Sequence, residues 1–174
     1  IVRADMAKNF RPDPLYVKSL QIAVSPEEEY RYQEWDGTHV ETTCRCAARA
    51  YQEAGIKNPR TELSMFEVHD CFSITELVIY EDLMISPRGR AKEDVDAGFF
   101  NLDGDLPCQT DGGLKSFGHP IGASGIRMTY EVYKQLQGKA GDRQIKNPRL
   151  GLTHNLGGFP ANCVIGITIW GNEP

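Results

Sequence analysis

The sequence predicts an α/β layered fold whose sheet ends in a pair of antiparallel strands. Segments with the period of a strand alternate with segments with the period of a helix, the order typical of α/β proteins. The last two strand-like segments, residues 150–155 and 161–170, are separated by a short glycine loop, which lets them pair side by side in opposite directions. A chain of 174 residues is long enough to bury one core, so we expect a single domain over residues 1–174.

The first part of the chain contains a predicted strand and a predicted helix. Residues 15–24 have the alternation of a strand, and the acidic segment at 25–29 predicts a solvated loop. Thr38 and Glu41 form a capping box at the start of a helix that ends at Gly55, a residue common at helix C-termini. This helix carries one apolar stripe: Val40, Cys44, Ala47, Tyr51 and Ala54.

The middle of the chain has weaker signals. Residues 65–71 predict a short strand, and Ser73 with Glu76 forms a second capping box that opens the next helix. Residues 85–122 show no clear period, and a connection of that length is usually functional or mobile. A further helix is predicted over 123–137, with four side chains facing inward: Ile126, Tyr130, Tyr133 and Leu136.

The composition excludes several classes of protein. The 19 Lys and Arg residues and 24 Asp and Glu residues give a net charge of -5, the wrong sign for binding a nucleic acid backbone or an anionic membrane surface. No apolar stretch approaches the roughly 20 residues of a membrane-spanning helix, and the start lacks the pattern of a signal peptide. Five irregularly spaced cysteines form no disulfide framework, so we expect a cytoplasmic protein. The chain begins at Ile1 rather than at Met, as if cut inside a secondary-structure element, which indicates a fragment.

The tetrapeptide His-Asp-Cys-Phe at 69–72 is the first candidate site. Alternation places His69 and Cys71 on one face at the end of a predicted strand, where α/β sheets bind their ligands. A helix N-terminus directly after Cys71 favours the thiolate, which can transfer a proton or attack a carbonyl carbon. The alternative is a buried structural cysteine in a strand, which is the commoner fate of a single cysteine.

A glycine-rich segment at 112–125 is the second candidate site. Its five glycines leave room for a ligand or another backbone to come close, and His119 is the obvious acid–base group. The composition also fits a turn-rich loop with an incidental histidine. A phosphate-binding loop is a further alternative, although neither the Walker pattern nor Gly-x-Gly-x-x-Gly after a strand is present.

The segment His-Asn-Leu-Gly-Gly-Phe at 154–159 is the third candidate site. Paired glycines at a hairpin tip are often only a turn. Alternatively, the backbone N–H of Gly157 or Gly158, with no side chain in the way, points into a site as an oxyanion donor. The spacing does not decide between the two.

No metal site is expected. Cys44 and Cys46 stand two residues apart on a predicted helix and therefore point in different directions, which makes them poor chelators. Cys108 and Cys163 are expected to be small apolar residues in a loop and a strand.

Together the three segments resemble the thiolase superfamily, in the branch related to sterol carrier protein-2 thiolases. Residues 112–125 reproduce the thiolase loop GGxxxxGHPxGAxG. His-Asp-Cys-Phe stands where other thiolases have Asn-Glu-Ala-Phe, and His-Asn-Leu-Gly at 154–157 takes the place of their Cys-x-Gly segment, both as in this branch. The resemblance covers essentially the whole chain. It implies the C-terminal half of a thiolase, a layered α/β/α half with a mixed sheet.

The resemblance also implies a role for each site residue. His119 resembles the histidine that activates the nucleophilic cysteine and helps to bind the thioester oxyanion. Cys71 resembles the second catalytic cysteine, which exchanges a proton with the α-carbon of the acetyl unit. His69 resembles the residue that completes the oxyanion hole of the enolate, and Gly157 the backbone donor of the other oxyanion hole. Three residues are expected to support the loops: Gly118, Pro120 and Asn155.

The reaction that the resemblance implies is reversible Claisen chemistry. Coenzyme A cleaves a 3-oxoacyl-CoA into acetyl-CoA, or another acyl-CoA, and a shortened acyl-CoA, or the reverse condensation takes place. Because the C–C bond breaks only if the leaving carbanion is stabilised as an enolate, the site must provide donors to a carbonyl oxygen and an acid–base group. Coenzyme A and acyl-CoA are then substrates, and no metal, redox group or covalently bound cofactor is required.

The nucleophilic cysteine departs from the family pattern. In thiolases it lies in the N-terminal half at the start of a helix, and none of the five cysteines here matches that position. Gln109 also replaces the Asn of the family's Asn-x-x-Gly-Gly segment. We therefore expect the chain to supply acid–base and oxyanion groups, to pair with an N-terminal thiolase half and to be inactive alone.

The resemblance further implies partners. We expect an acyl-CoA substrate, a homo-oligomer (dimer or tetramer) and, as in some relatives, a small zinc-bearing OB-fold partner protein, but no nucleic acid or membrane. Two alternatives stay open. One is a non-catalytic assembly or scaffold subunit with the same fold, and the other is a self-contained hydrolase that uses Cys71 and His119.

Overall fold

A computed structural model describes residues 1–26, 36–159 and 162–174. Its strands are β1 (Tyr16–Val24), β2 (Met65–Glu67), β3 (Leu150–Phe159) and β4 (Asn162–Gly171). Its α-helices are α1 (Ala7–Phe10), α2 (Glu41–Ala54), α3 (Pro59–Glu62), α4 (Ser73–Asp82), α5 (Ala91–Asp96), α6 (Gly113–Ser116) and α7 (Ser124–Leu136). Short 3-10 turns lie at Ala4–Met6, Ile121–Ala123 and Gly141–Arg143. In the three described ranges, no helix is long and apolar enough to cross a membrane.

The four strands form one mixed sheet in the order β1-β4-β3-β2. β4 is antiparallel to both of its neighbours, whereas β2 is parallel to β3. This arrangement confirms the predicted α/β fold with a mixed sheet that ends in an antiparallel strand pair. The predicted glycine loop at the hairpin tip is wrong, because Gly157 and Gly158 lie inside β3 and pair with Val164 and Cys163 of β4.

One face of the sheet is covered by α2, as the apolar stripe of that helix predicted. Ala47 and Tyr51 are buried, and α2 packs against β1 and β4. Three isoleucines of β4 alternate along the strand and are fully buried beneath the helix: Ile165, Ile167 and Ile169. Each such side chain contributes about 1.5–3 kcal/mol on burial, so this layer is the main core of the chain.

The opposite face of the sheet is only partly covered. Helix α7 packs on β3 and β2 and leaves the β1 and β4 side of this face uncovered. Four apolar side chains stand exposed there on the two strands: Leu20, Ile22, Val24 and Val164. We call these four residues the open apolar face. A contiguous apolar surface of this kind marks an interaction or binding surface.

Several predicted helix and strand ends differ from the structure. Thr38 does not cap α2, because its hydroxyl donates to Asp36 Oδ1 at 2.7 Å while Val40 stands at the N-cap. Phe72, rather than Ser73, occupies the N-cap of α4. The strand predicted over 65–71 ends at Glu67. Local capping patterns therefore located both helices but misplaced their first residues by a turn or less.

The structure confirms one of the remaining predictions and departs from two others. Gly55 has the left-handed conformation predicted for a helix C-terminus, with φ of +74°. The irregular stretch 85–122 contains the short helices α5 and α6. In the predicted solvated loop at 25–29, Ser25 is buried and accepts a hydrogen bond from Cys163 N at 2.9 Å, and residues 27–29 lie outside the described residues.

The inward face of α7 is not the one that its apolar residues predicted. Ile126 and Tyr130 are 72% and 52% exposed. The buried face instead carries polar and apolar side chains together: Ser124, Arg127, Met128, Glu131, Val132, Gln135 and Leu136. The prediction is confirmed for Leu136, and Tyr133 is half-buried. The helix turns polar side chains inward because they meet buried charged partners from β2 and from the loop that precedes α6.

A buried charge cluster joins α7 to these two segments. Arg127 Nη2 lies 3.3 Å from Glu67 Oε2 of β2, and Arg127 Nη1 donates to Asp111 Oδ2. All three side chains are nearly inaccessible to solvent. Burial raises the pKa of Glu67 well above its usual range, and the nearby Asp111 carboxylate adds to this effect. Glu131 extends the cluster, because it accepts a hydrogen bond from Thr110 Oγ1 at 2.8 Å.

Substitution of Arg127 tests how strongly this cluster holds the fold. We expect Arg127→Met to lower the free energy of unfolding by about 3–5 kcal/mol, because the carboxyl groups of Glu67 and Asp111 stay buried without the guanidinium that pairs with them. Urea unfolding at pH 7 measures the loss. The matched control is Arg90→Met, which breaks an exposed ion pair with Glu93 and should cost less than about 1 kcal/mol. An equally small loss in both variants would show that Arg127 does not anchor α7.

His154 is a second buried ionisable group, on the face of β3 that α2 covers. Its ring is fully buried, and its Nε2 lies 3.2 Å from Thr43 Oγ1 of α2. Burial lowers the pKa of His154 to about 3, and the nearby His69 ring adds to this effect. The ring is therefore neutral in the folded protein at any pH near neutrality.

This depressed pKa makes the fold sensitive to acid. Stability from His154 is fully present above the unfolded pKa of about 6.5 and is lost as the pH falls toward the folded value. Between pH 7 and pH 5 we expect His154 to remove about 2 kcal/mol from the free energy of unfolding. Urea unfolding at both pH values, compared with His154→Phe, isolates this component, since the other groups titrate in both proteins. The same pH dependence in the two proteins would contradict the assignment.

Candidate active site

The three segments predicted to carry chemistry meet at one open cavity of about 760 Å³. His69 and Cys71 reach it from the segment after β2, His119 from the loop before α7, and Asn155 and Gly157 from β3. The parallel pairing of β2 with β3 brings the first and third segments together. Because α7 packs on both strands, it brings the second segment to the same place.

The two histidine rings of the cavity are in edge-to-face contact. The ring centroids of His69 and His119 are 5.1 Å apart with an interplanar angle of 80°. Burial lowers the pKa of His69, and the neighbouring His119 ring contributes in the same direction. The neutral form of His69 is therefore favoured at neutral pH.

Each ring has a side-chain partner at its Nδ1 atom. His69 Nδ1 lies 3.2 Å from Asn155 Oδ1, and His119 Nδ1 lies 2.7 Å from Ser124 Oγ. Because Nδ1 is engaged in both rings, the Nε2 atoms on the other side of each ring are left for a ligand. The fully buried Ser124 was missed by sequence reasoning. Its position as a hydroxyl five residues after His119, at the start of a predicted helix, is the signal that could have found it.

Gly118 and Pro120 flank His119 in its loop. Gly118 has φ of +129°, a conformation that residues with a side chain rarely adopt. Pro120 begins the 3-10 turn at Ile121–Ala123, which leads into α7. The histidine is thereby placed just before the first turn of that helix.

Cys71 is neither in a strand nor fully buried. It lies beyond the end of β2 and is half-buried, so the alternative of a buried strand cysteine is wrong. Its Sγ is 3.8 Å from Thr75 Oγ1 in the first turn of α4, and it lines the cavity with the two histidines. The thiol is therefore accessible from the cavity at the start of a ten-residue helix.

Asp70 and Gly113 fasten the first segment to the second. The buried Asp70 accepts a hydrogen bond from Leu114 N at 2.8 Å. Gly113 has φ of +65°, and a Cβ placed on it would lie 2.4 Å from Asp70 Oδ2. Gln109, which departs from the family pattern, also ties the two segments together, since its Nε2 donates to Val68 O at 2.7 Å.

The other cysteines lie in different surroundings. Cys46 Sγ faces Ile165 O in the core, whereas Cys44 Sγ accepts a hydrogen bond from Arg88 Nη2 at 3.0 Å. Burial raises the pKa of Cys44 to about 12. Within the part of the chain that the structure describes, no group of three or more His, Cys, Asp or Glu side chains could hold a metal ion.

The close contact at Gly113 gives a test of the site's framework. We expect Gly113→Ala to lower the free energy of unfolding by about 1 kcal/mol or more, because the added Cβ collides with Asp70 and the left-handed conformation is strained. Gly122→Ala in the same segment is the control, since a Cβ there meets nothing within 4 Å. Thermal and urea unfolding of both variants measure the difference, and equal stability would contradict the contact.

Comparison with known proteins gives the family. Residues 25–169 match the family model described as "Thiolase C-terminal domain-like". Over 164 residues the chain is 37% identical to an acetyl-CoA acetyltransferase of Methanothermobacter thermautotrophicus, covering 94% of this chain and 42% of that protein. Over 115 residues it is 39% identical to sterol carrier protein 2 of Gallus gallus, covering 66% of this chain and 21% of that protein.

A solved structure shares the fold. The structure titled "Ltp2-ChsH2(DUF35) aldolase" matches with a TM-score of 0.76 at 19% sequence identity, covering 93% of this chain and 41% of that chain. The chain therefore spans less than half the length of the relatives it matches. The thiolase-like fold that the resemblance implied is confirmed, and the chain belongs to the thiolase C-terminal domain-like family.

Proposed function

We propose that this chain is the C-terminal half of a thiolase that cleaves a 3-oxoacyl-CoA with coenzyme A, or catalyses the reverse condensation. The observation that carries this proposal is the convergence of His69, Cys71, His119 and Gly157 on one cavity. These four residues come from three separate segments of the chain and line the same open cavity. A thiolase site, which needs an acid–base group and donors to two carbonyl oxygens, requires them together.

The proposed role of each group is the one that the resemblance to thiolases implies. His119 activates the nucleophilic thiol and binds the thioester oxyanion, and Cys71 exchanges a proton with the α-carbon. His69 faces the carbonyl oxygen that becomes the enolate. Gly157 is proposed as the backbone donor to the oxyanion of the acyl-enzyme, a role that requires its N–H to leave the pairing with Val164 in the β3–β4 ladder. A Cβ on Gly157 would meet nothing within 4 Å, so the residue leaves free space at the cavity wall where an acyl group would lie.

The nucleophilic cysteine of the reaction comes from outside the chain in this proposal. Cys44 and Cys46 lie on α2, and Cys163 faces the same core from β4. The fraction of the acetyl-CoA acetyltransferase that this chain covers, 42%, leaves more than half of that protein to hold further catalytic groups. Coenzyme A and an acyl-CoA are the proposed substrates, and no cofactor is proposed.

In this proposal, the other half packs on the open apolar face. Leu20, Ile22 and Val164 of this face also line the catalytic cavity. A half that covers the face would therefore bring its own residues to His119 and Cys71. A scaffold subunit, the alternative, would use the face but would need neither the histidine pair nor the accessible thiol. A homo-oligomer and a zinc-bearing OB-fold partner stay predictions, as does a cytoplasmic location.

Thiolysis kinetics test the proposed function. In the protein encoded by the complete reading frame, we expect Cys71→Ala and His119→Ala each to lower kcat at least about 100-fold, because each removes an acid–base group. Cleavage of a 3-oxoacyl-CoA in the presence of coenzyme A is monitored as the decrease in absorbance of the 3-oxoacyl-CoA. Cys44→Ala is the control, because this cysteine lies on α2 away from the cavity, and it should leave kcat unchanged.

Two results would contradict the proposal. One is thiolysis by residues 1–174 alone at the rate of the complete protein, since the nucleophile is proposed to lie elsewhere. The other is stoichiometric acylation of Cys71 by an acyl-CoA, which would make this cysteine the nucleophile rather than the acid–base group. Mass spectrometry of the acylated peptide identifies the modified residue.

A further inference from the structure

Asn155 projects from β3 into the cavity between the His69 ring and the start of α7. Its Oδ1 lies 3.2 Å from His69 Nδ1, and its side chain is half-buried and lines the cavity. In the sequence this residue was predicted only to support a loop. Its contact is instead with the side chain that the proposed function places at the enolate oxygen.

The carboxamide of Asn155 also lies close to the backbone of α7. On the side away from His69 it faces Gly125 in the first turn of α7, where an added Cβ would lie 2.6 Å from Asn155 Nδ2. A glycine at position 125 thus leaves just enough room for the amide between the helix and the ring. The close approach to Gly125 places the amide group, and the hydrogen bond to His69 Nδ1 determines which end of the amide faces the ring.

The chemistry of the two partners fixes where the proton of His69 resides. A carboxamide oxygen only accepts hydrogen bonds, so the ring nitrogen that faces it must carry the proton. In a neutral imidazole one nitrogen is protonated and the other is a bare acceptor. With the proton at Nδ1, Nε2 of the neutral ring accepts a proton or a hydrogen bond, and it donates only after the ring has gained a second proton.

We propose that Asn155 is a positioning residue that holds the proton of His69 at Nδ1, so that the neutral ring presents Nε2 to the cavity as an acceptor. This inference rests on the proposed function for the identity of the ligand but not for the state of the ring. It assigns to Asn155 a role in setting the donor and acceptor pattern of the site. His69 becomes a donor to a carbonyl oxygen when Nε2 takes up a proton.

Other ionisable groups act on the same ring and must be held constant in any test. His119 lies edge-on to His69, His154 directly precedes Asn155 on β3, and Asp70 is the residue after His69. Burial lowers the pKa of His69, whereas the hydrogen bond to Asn155 and the charge of Asp70 raise it. Substitutions at position 155 change one of these contributions and leave the other groups in place.

Nitrogen-15 NMR of the histidine side chains tests the proposal without any substrate. The ring ¹⁵N shifts report which nitrogen carries the proton, and His69→Gln assigns the signals. We expect the Nδ1–H form in the unmodified chain and in Asn155→Asp, whose carboxylate also only accepts and should raise the pKa of His69 by about 1 unit or more. In Asn155→Leu, which has a similar size and no acceptor, we expect the Nε2–H form to gain population and the pKa of His69 to fall.

Gly125→Ala provides a second, steric test that leaves Asn155 itself unchanged. Its methyl group should push the carboxamide away from His69 and shift the ring signals toward those of Asn155→Leu. Gly122→Ala, with nothing within 4 Å of the added Cβ, is the matched control and should leave the signals unchanged. The proposal is overturned if the unmodified chain shows the Nε2–H form, or if Asn155→Leu leaves the tautomer and the pKa as they were. Either result stands whether or not the chain takes part in thiolysis.

Discussion

The buried contact of Arg127 with Glu67 and Asp111 is the interaction on which the geometry of the site depends. Glu67 ends β2 two residues before His69, and Asp111 directly precedes the glycine-rich segment 112–125, which carries His119. One guanidinium on α7 therefore fixes the two segments that hold the histidine pair. A buried charge cluster contributes little net stability compared with apolar packing, but it tolerates few alternative arrangements. Its value here is the accurate placement of segments that have little regular structure of their own.

Much of the fold could be predicted from the sequence, because the relevant signals are local. Strand alternation in β1 and the apolar stripe of α2 both reflect contact with the sheet's own core, and the left-handed Gly55 follows from backbone sterics. The inward face of α7 could not be predicted in this way. Arg127 and Glu131 are hydrophilic in isolation, and only the distant partners Glu67, Asp111 and Thr110 make their burial favourable. The first capping box failed for a different reason, since the hydroxyl of Thr38 donates to the nearby Asp36 instead.

The candidate site was predictable in its residue types and not in its connections. The motifs pointed to His69, Cys71, His119 and Gly157, and all four line one cavity. The side chains that hold the rings carry weaker signals, because the sequence predicts only a loop-supporting role for Asn155, and a hydroxyl such as that of Ser124 is common at the start of a helix. Their importance appears only when the parallel pairing of β2 with β3 and the packing of α7 bring them to the Nδ1 atoms. Residues that act through another residue are therefore the ones that sequence patterns miss.

The placement of the site on the uncovered side of the sheet links assembly to chemistry under the proposed function. The core beneath α2 needs nothing further, because its isoleucines are already fully buried. The opposite face is incomplete in two respects at once: it exposes apolar side chains, and its cavity holds acid–base groups with no acyl-carrying cysteine of the family pattern. Because Leu20, Ile22 and Val164 belong both to the exposed surface and to the cavity wall, covering the surface also closes the cavity. Apolar burial would then exclude water from the space around His69 and His119, where hydrogen bonds to a developing oxyanion are strongest. The same contact that stabilises the assembled protein would thus complete the electrostatic environment that an enolate requires.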